Sequence, residues 1–570
     1  MEKKKYLHIA LFSILMAIFF IVFITLSYLS YLNLIFSAND ILFYIITAIS
    51  FVALTFSSIA TIRNNRAKTK MFNKKTKRCI ITSLIIFTIV YTLFIALSKY
   101  NYCFGAVDAE QIFYHTFVSS AGMDFSTVFA IAIPSIVGCI IFASISSYIY
   151  FALSIVMNGA QENLNTKVGK KISAGALCSS IISVLLLLSY LLYIIPIFNF
   201  VYYQIFTESS FIADNYVDPK TTAIEFPEQK RNLIYIYLES MENTFADQEN
   251  GGAFKDNYIP EITQLQKDNI NFSNTDEIGG ALPTYGITYT TASIFAQSFG
   301  LPLKIGTNAK PMPDALLPNK YNIYDILNNA GYSQYIVMGS DVNFGGLKEL
   351  FQSHGNTTIY DYCDMVDTGF IDKNYKVFWG VEDKLVYDYS KEKLSEIAQK
   401  KEPFFFVMET VDTHNPNGYI CSECKSDFDE QYSNVVACAS RQLDNFIKWA
   451  KQQEWYKNTT IVVVGDHCSM KNDFFTEIPS KYQRTTTNII INPDPSLSLD
   501  STIFTNRQFS SMDMLPTTLA SIGCKIDGER LGLGTNLFSD RKTIFEEFGF
   551  EYVNEEFRKK TTLYENIFNG

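Results

Sequence analysis

The sequence predicts a multi-pass α-helical membrane domain followed by an α/β extracytoplasmic domain with a central, mostly parallel sheet. Long apolar stretches all lie before residue 199, whereas short buried-strand patterns alternate with helix-like segments after residue 229. Charge changes at the same place, because residues 1–198 carry 15 Lys/Arg and 6 Asp/Glu while the rest of the chain carries 32 and 51. We therefore divide the chain into a five-helix transmembrane domain (1–198), a polar linker (199–229) and a globular domain (230–570) that is large enough to be catalytic.

Five stretches before residue 199 are long enough to cross a bilayer, which needs about 20 apolar residues in a helix. They cover 6–29, 39–61, 79–98, 127–153 and 173–198. The first stretch is too long for the apolar core of a signal peptide, and no small-residue cleavage motif follows it. We therefore expect it to be an uncleaved anchor.

Charged residues between these stretches predict the orientation of the domain. The N-terminus, the segment 63–78 and the fourth loop are basic, whereas the first and third loops are mainly acidic. Because Lys and Arg stay on the cytoplasmic side, we expect a cytoplasmic N-terminus and an outer domain beyond residue 198. The third loop, with Asp108, Glu110 and His115, is expected to be a solvated outer loop, with a re-entrant or interfacial segment as the alternative.

Composition excludes two classes of protein. A net charge of −10, with the acidic excess in the outer domain, argues against a nucleic-acid binder. The 47 Phe and 35 Tyr residues can bury a large core and argue against intrinsic disorder.

Six of the ten cysteines lie in the outer domain, where disulfides can form. They are Cys363, Cys421, Cys424, Cys438, Cys468 and Cys524. Cys421 and Cys424 form a C-x-x-C pair of the kind found in redox and zinc sites, but the chain has no second such pair. We therefore predict one or two structural disulfides, whose pairing the sequence does not define.

The outer domain alternates buried-strand patterns with helix-like segments, as a doubly wound α/β sheet does. The predicted strands are 232–239, 403–410, 459–466 and 486–493, and the helix-like segments include 321–330, 391–400 and 438–453. The strands are continuous runs of β-branched and aromatic residues without polar alternation. Such runs are typical of parallel strands covered on both faces.

Polar side chains follow three of these strands where the strands end. Glu239 ends the first, Asp412 and His414 follow the second, and Asp466 with His467 ends the third. Ligands gather at the carboxyl ends of parallel strands. Carboxylates with an imidazole suit Zn²⁺, Mn²⁺ or Mg²⁺, so we predict a metal site there, although Asp412 could instead cap a turn.

A nucleophile is expected in the segment 279–303, where a Gly- and Thr-rich loop precedes a helix-like run. A hydroxyl at a helix N-terminus faces backbone N–H groups and the positive end of the dipole. This environment stabilises the anionic oxygens of a phosphoryl group as well as an alkoxide, and metal coordination would lower the hydroxyl pKa. The alternative is that Thr288, Thr290 and Thr291 simply cap the helix.

Taken in order, these residues resemble the alkaline-phosphatase superfamily and, within it, the membrane-bound phosphoglycerol transferases. The motifs are YLESMEN around Glu239, TYTTAS with Thr290 followed by GLPL, VDTHNPNGY around His414, and GDHCSM with Asp466 and His467. The stretch MDMLPTTLASIGCKIDGERLGLGTNLFS (512–539) closely resembles the transferases that add phosphoglycerol to osmoregulated periplasmic glucans. Lipoteichoic acid synthases are similar in the metal and threonine pattern and in the five-helix anchor, but less so in this stretch. The resemblance covers about 230–540 and implies an alkaline phosphatase-like fold.

The resemblance also implies the roles of the site residues. The implied metal ligands are Glu239, Thr290, Asp466 and His467, which would hold one divalent ion, Mn²⁺ ahead of Mg²⁺ or Zn²⁺. Thr290 is implied as the nucleophile, and its choice over Thr291 rests on the resemblance alone. His414 is implied as a substrate-binding residue, with His354 and Arg484 as weaker candidates for head-group contacts. Trp379, in FWGVED, matches a family motif, but we expect it to be a core residue.

The implied reaction is a two-step phosphoryl transfer in the plasma membrane of a bacterium. Thr290 attacks the phosphorus of phosphatidylglycerol and expels diacylglycerol, and a hydroxyl of a glycan or glycolipid then attacks the glycerophospho-threonine. A membrane anchor keeps the site close to its lipid donor. A formylglycine sulfatase is excluded, because no cysteine of the chain begins the Cys-x-Pro-x-Arg pattern that those enzymes need.

Three alternatives stay open. A phosphoethanolamine transferase would use the same site with a different head group, although the LGLGTNLF stretch argues against it. A phosphodiester hydrolase would use water as the acceptor. A non-catalytic membrane sensor would be built on an inactive domain, and we would then expect at least one of the four metal positions to be altered.

Overall fold

The computed structural model describes residues 74–104, 108–118, 125–158, 162–195, 197–304, 317, 319–497, 501–561 and 563–564. The chain divides into two compact units. One takes in residues 1–103 and 125–194, and the other takes in 104–124 and 195–570. The predicted spans 6–29 and 39–61 lie outside the described residues.

The first unit consists of long apolar helices. These are α1 (Lys74–Phe104), α3 (Phe125–Asn158) and α4 (Glu162–Ile194), while the short α2 (Ala109–Phe117) belongs to the second unit. Within the described residues, two stretches are long and apolar enough to cross a membrane, Lys75–Asn101 and Ser173–Tyr193, and α3 contains a shorter apolar stretch, Ile131–Ser147.

Large apolar side chains of this unit point outward. Leu185 and Leu186 of α4 are 56% and 65% exposed, and Ile85 of α1 is 54% exposed. Water would oppose such exposure, whereas lipid tails would cover these side chains without cost. The exposed apolar surface therefore fits helices that lie in a membrane.

The second unit is an α/β domain. Its further helices are α5 (Ile197–Phe206), α6 (Phe211–Asn215), α7 (Pro260–Asp268), α8 (Thr290–Phe299), α9 (Ile323–Asn329), α10 (Leu347–Gln352), α11 (Tyr362–Asp367), α12 (Asp383–Ala398), α13 (Gln431–Ala450), α14 (Met514–Ser521), α15 (Ile544–Phe548) and α16 (Phe550–Arg558). Its strands are β1 (Ile224–Glu225), β2 (Asn232–Leu238), β3 (Ser333–Met338), β4 (Thr358–Tyr360), β5 (Phe404–Glu409), β6 (Thr459–Gly465), β7 (Asn488–Ile491), β8 (Lys525–Ile526), β9 (Arg530–Leu531) and β10 (Gly534–Thr535). Short 3₁₀ helices cover Asn243–Phe245, Gln248–Asn250, Phe344–Gly346, Glu454–Asn458, Asn472–Phe475, Ser501–Ile503, Ser511–Asp513 and Asp527–Glu529.

Six strands form the central sheet in the order β4-β3-β5-β2-β6-β7. The first five are parallel, and β7 runs antiparallel to β6. Strand β2 lies between β5 and β6, with Leu238 beside Gly465 at the carboxyl end. The sheet is therefore mostly parallel, as predicted, but the parallel direction expected for 486–493 is wrong.

Both faces of the sheet are buried. Alternate residues of β2 contribute to two apolar clusters: Leu233, Tyr235 and Tyr237 pack on one face, and Ile234 and Ile236 on the other. Helices α8, α9, α10 and α14 cover the first face, and α7, α12 and α13 cover the second. Burial on both faces explains why the strand sequences lack polar alternation.

Two segments outside the sheet differ from simple loops. The segment predicted as a linker, 199–229, contains most of α5 together with α6 and β1, and β1 pairs with β8. The expectation that the loop around Glu110 is solvated is wrong, because α2 is a helix in which Glu110 is 4% and Tyr114 1% exposed. Their partners lie more than a hundred residues further along the chain, so the local sequence does not reveal this burial.

The predicted disulfides are not formed. All nine cysteines whose side chains the structure describes are free thiols. Cys421, Cys424 and Cys438 nevertheless lie together, with sulfurs 3.6 Å apart in the first pair and 3.8 Å apart between Cys421 and Cys438.

Candidate active site

Three buried side chains meet where β2 and β6 end. Glu239 directly follows β2, and Asp466 and His467 directly follow β6, its parallel neighbour. The His467 Nε2 atom lies 3.5 Å from Glu239 Oε1 and 3.4 Å from Asp466 Oδ2. All three side chains are 3% exposed or less. The structure therefore brings these three residues together at the ends of neighbouring strands.

Thr290 completes this group from a different element. It is the first residue of α8, and its hydroxyl donates to Glu239 Oε2 at 3.1 Å and lies 3.4 Å from His467 Nε2. The residue is half-buried. Thr291 is buried and donates instead to the carbonyl of Gly345 at 3.1 Å. The geometry therefore distinguishes Thr290 from Thr291, which the sequence alone did not.

The amino end of α8 has no side-chain cap. Its N-cap residue is Tyr289, which makes no capping hydrogen bond with its side chain. The alternative in which the threonines merely cap the helix is therefore wrong. The first N–H groups of a helix have no intrahelical acceptor, so α8 offers donors and the positive end of its dipole beside the Thr290 hydroxyl.

Backbone donors fix the orientation of the carboxylates. Asp466 Oδ1 accepts from the N–H groups of Ser240 and His467, both at 2.7 Å. The Ser240 hydroxyl donates to Glu239 Oε1 at 2.5 Å, and the Ser293 hydroxyl donates to the backbone carbonyl of Asp466. Ser240 adopts a left-handed φ of 52° to do this. Such second contacts hold ligand atoms in place before a cation arrives.

Acceptor atoms face one another inside this group. His467 Nδ1 lies 2.9 Å from the carbonyl of Cys468, so in the neutral ring Nδ1 carries the hydrogen and Nε2 presents its lone pair. Asp466 Oδ2 is buried and has no hydrogen-bond donor among the described residues. Burial and the charge of Glu239 raise the pKa of Asp466 to about 7. A proton or a cation must therefore lie between these atoms.

The neighbouring groups of Glu239 and His467 shift their pKa values. Burial would raise the pKa of Glu239, but His467 and His414 outweigh it and hold that pKa below its usual value. Burial would lower the pKa of His467, but Asp466 and Glu239 outweigh it and raise that pKa. Both shifts show that a positive charge is favoured at this point.

The spacing of the donor atoms fits a divalent cation. A tetrahedral ion with ligand bonds of about 2.0–2.1 Å separates its ligand atoms by roughly 3.3 Å. Four separations in this group lie between 3.1 and 3.5 Å: from the Thr290 hydroxyl to Glu239 Oε2 and His467 Nε2, and from His467 Nε2 to Glu239 Oε1 and Asp466 Oδ2. Carboxylate, hydroxyl and imidazole donors suit a hard or borderline metal. These residues thus form a candidate metal centre.

His414 lies beside this centre. Its charge lowers the pKa of Glu239, and it is half-buried. The ring packs against Trp379 at a centroid distance of 4.8 Å, and its Nδ1 lies 2.8 Å from the carbonyl of Asn415. Trp379 is 7% exposed, as a core residue is.

His354 and Arg484 do not join the centre. His354 is buried, its Nδ1 lies 2.6 Å from Asp325 Oδ2, and its ring packs edge-on against Phe299. Phe299 ends the helix that Thr290 begins, about 14 Å away at the rise of an α-helix. Arg484 binds Glu242 through two nitrogens, at 2.5 and 2.8 Å. Each side chain is thus held by an internal carboxylate, so the geometry does not support the head-group contacts expected for them.

Two further buried carboxylates, Glu409 and Asp412, lie in the same part of the chain. Glu409 ends β5 next to β2, and burial together with Asp466 and Glu239 raises its pKa well above the usual value. Its position as the last residue of a buried strand could have indicated it. Asp412 is 2% exposed and lies outside the metal group; burial and Asp383 raise its pKa.

The chain matches a known protein family and is similar to curated proteins. The family model described as Sulfatase matches residues 231–523. Curated proteins called Phosphoglycerol transferase I, from Escherichia coli O127:H6 and O157:H7, are 34% identical over 265 residues, which is 45% of this chain and 33% of theirs. The chain thus spans about a third of the length of the curated relatives it matches.

Two solved structures are similar at lower identity. The lipoteichoic acid synthase LtaP from Listeria monocytogenes is 19% identical, with 58% of this chain and 81% of that chain covered and a TM-score of 0.44. The integral membrane protein lipooligosaccharide phosphoethanolamine transferase A from Neisseria meningitidis is 12% identical, with 88% and 92% covered and a TM-score of 0.47.

Proposed function

The chain belongs to the sulfatase family, and we propose that it transfers phosphoglycerol from phosphatidylglycerol to a hydroxyl of an extracytoplasmic glycan or glycolipid. The observation that carries this proposal is the half-buried Thr290 hydroxyl, which sits at an uncapped helix N-terminus within 3.4 Å of both Glu239 and His467. A hydroxyl in this position suits attack on phosphorus. The similarity to the proteins called Phosphoglycerol transferase I supports glycerophosphate as the transferred group.

In the first step, the Thr290 oxygen forms a bond to the phosphorus of the lipid, and the bond from phosphorus to the diacylglycerol oxygen breaks. The hydroxyl proton leaves toward Glu239 Oε2, to which it already donates. The N–H groups at the start of α8 hold the phosphoryl oxygens as their charge grows. His414 would bind the phosphate or protonate the leaving diacylglycerol oxygen.

In the second step, the acceptor hydroxyl attacks the glycerophospho-threonine from the side that the lipid has left. The acceptor hydroxyl loses its proton to His414, and the departing Thr290 oxygen regains the proton that Glu239 took in the first step. A divalent ion held by Glu239, Thr290, Asp466 and His467 would lower the pKa of the hydroxyl and offset the charge of the phosphoryl oxygens. We propose Mn²⁺ for this position, with Mg²⁺ and Zn²⁺ as competitors, because the donor set mixes oxygen with one imidazole nitrogen.

We further propose that the chain is a multi-pass protein of the bacterial plasma membrane, with a cytoplasmic N-terminus and an extracytoplasmic catalytic domain. The basic loops of the first 198 residues and the exposed apolar side chains of α1 and α4 support this arrangement. The donor is a membrane lipid, so an anchored site meets it at high effective concentration.

The test is the release of diacylglycerol from phosphatidylglycerol vesicles by the purified full chain with Mn²⁺, Mg²⁺ or Zn²⁺. Thr290→Ala is the diagnostic variant, and Thr291→Ala, which removes the neighbouring hydroxyl, is its matched control. Release that is lost only in Thr290→Ala supports the proposal. Release from phosphatidylethanolamine in its place would assign the donor to the phosphoethanolamine alternative. Free glycerophosphate without transfer to any glycan would indicate a hydrolase. A metal-loaded protein that acts on neither lipid would contradict the proposal.

A further inference from the structure

Three thiols cluster in the second unit outside the candidate active site. Cys421 and Cys424 belong to the loop that follows the His414 segment, and Cys438 lies on α13. Cys421 is 5% and Cys438 1% exposed, while Cys424 is half-buried. The three sulfurs all lie within 4.8 Å of one another. Neither the proposed transfer reaction nor the comparisons assign them a role.

The sulfur separations are those of ligands on a shared ion. A disulfide joins its sulfurs at about 2.0 Å, whereas a tetrahedral ion with Zn–S bonds of about 2.3 Å holds them roughly 3.8 Å apart. Cys421 Sγ lies 3.6 Å from Cys424 Sγ and 3.8 Å from Cys438 Sγ. A disulfide would also use two of the three sulfurs and strand the third, whereas a cation can bind all three.

A side-chain amide lies against the cluster. The Gln442 side-chain amide, one turn after Cys438 on α13, donates to Cys438 Sγ at 3.4 Å and to Cys421 Sγ at 3.8 Å. Donors of this kind stabilise thiolates and orient them toward a metal.

We infer that Cys421, Cys424 and Cys438 form a metal site that binds Zn²⁺ or a similarly thiophilic divalent cation through three thiolates. No fourth His, Cys, Asp or Glu joins this group among the described residues, so water would complete the tetrahedron. The site is independent of the proposed transferase function, since none of its ligands belongs to the Glu239 group.

Such an ion would fix the loop after His414 to helix α13. The loop already makes two backbone contacts that fold it back: Tyr419 N–H donates to the Asp412 carbonyl at 2.8 Å, and Gly418 N–H donates to the His414 carbonyl at 3.0 Å. The Gln431 side chain, at the start of α13, donates to the carbonyls of Asn417 and Gly418. A metal bridge would add a strong link between the same two elements.

The test is metal analysis of the purified full chain, with variants that separate the two centres. Asp466→Asn weakens metal binding by the Glu239 group, so zinc that remains bound to this variant belongs to the thiols. Cys424→Ser, in a half-exposed loop position, and Cys438→Ser are expected to lower that zinc at least about tenfold. Cys524→Ser removes a buried thiol outside the cluster and is the matched control, whose zinc content should equal that of the unaltered chain.

A second measurement needs no variant. Replacing the bound metal by Co²⁺ should give thiolate-to-cobalt charge-transfer absorption, which the oxygen and imidazole donors of the Glu239 group cannot produce. A chelator should make the three cysteines accessible to alkylation. The inference is overturned if unreduced peptides show two of these cysteines joined in a disulfide, or if the thiols react equally with and without chelator and no cobalt band forms.

Discussion

The hydroxyl of Thr290 lies 3.1 Å from the carboxylate of Glu239, although 51 positions separate the two residues in the chain. They meet because α8 begins at the carboxyl end of β2, where the Asp466–His467 pair also follows the adjacent strand β6. The contact joins the candidate nucleophile, Thr290, to a candidate metal ligand, Glu239. Four predictions follow from this contact and from ion pairs further from the centre.

Residue 290 should carry the covalent intermediate. Thr290→Val keeps the side-chain volume but removes the hydroxyl, so we expect at least about a 10⁴-fold loss of diacylglycerol release. Thr290→Ser should retain measurable release and a glycerophospho adduct on residue 290, detected by mass spectrometry after acid quenching. Thr291→Val should keep both, because its hydroxyl serves only the Gly345 carbonyl. Equal losses in the two valine variants would contradict the assignment.

Metal affinity should fall as the solution becomes more acidic. Burial and Glu239 raise the pKa of Asp466 to about 7, and the pKa of His467 is raised by Asp466 and Glu239 against the effect of burial. Both side chains must lose their protons to bind a cation. Below pH about 7 we therefore expect Mn²⁺ affinity to fall about tenfold per pH unit for each proton released, with one or two protons involved.

Titration calorimetry of the metal-depleted chain in two buffers of different ionisation enthalpy measures that proton release. Thr290→Val should show the same pH slope, since the threonine does not titrate in this range. Asp466→Asn should bind more weakly and with a shallower slope. A pH-independent affinity in the unaltered chain would show that Asp466 and His467 do not hold the ion.

The pair of Arg484 and Glu242 should stabilise the fold more than it serves the reaction. Glu242 is fully buried and also accepts from the Ser469 N–H at 3.0 Å. Arg484→Met leaves that carboxylate buried without its cation, so we expect a loss of about 3 kcal/mol in the free energy of unfolding. Denaturant titration followed by tryptophan fluorescence measures it. The double variant Glu242→Leu with Arg484→Met should recover part of the loss, because no charge is then left unpaired.

Glu556 should make stability depend on acid pH. Burial would raise its pKa, but bonds from Lys559 at 2.6 Å and from Ser209 at 2.5 Å hold that pKa below its usual value. A carboxyl with a lowered pKa in the folded state stabilises above its unfolded pKa, and this stabilisation is lost as pH falls through the folded pKa.

Thermal unfolding between pH about 3 and 7 checks this. At pH 7 we expect Glu556→Gln to unfold at a lower temperature than the unaltered chain. At the acid end of the range the two unfolding temperatures should become similar. A constant difference across the range would show that Glu556 acts through packing instead of charge.

The sequence was informative where local composition determines structure. The continuous apolar runs of β2 and β6 predicted both strands and the polar residues at their ends, because a strand buried on both faces has few other compositions. The direction of β7 was not predictable in this way, since antiparallel and parallel strands that are fully buried look alike. Strand β4, with three residues, is too short to give a clear pattern, whereas β3 was missed although it is as long as β5.

Other features depend on tertiary contacts. The choice between Thr290 and Thr291 follows from where α8 begins, because successive helical residues point about 100° apart. Cys438 is an ordinary helix residue until the loop of Cys421 folds against it. His354 and Arg484 resembled candidate contacts in sequence, yet each is paired with an acid that local sequence does not reveal.

Helix α2 has a consequence for any soluble fragment of this chain. Its Tyr114 is 1% exposed, donates to the Gly345 carbonyl that Thr291 also uses, and packs 5.7 Å from the ring of Tyr289, the N-cap of α8. A fragment that begins after the last apolar helix would contain every proposed ligand and still lack this tyrosine. The amino end of α8, where Thr290 lies, would therefore lack one of its packing contacts. Low turnover of such a fragment would then be an effect of the truncation and would not measure the activity of the full chain.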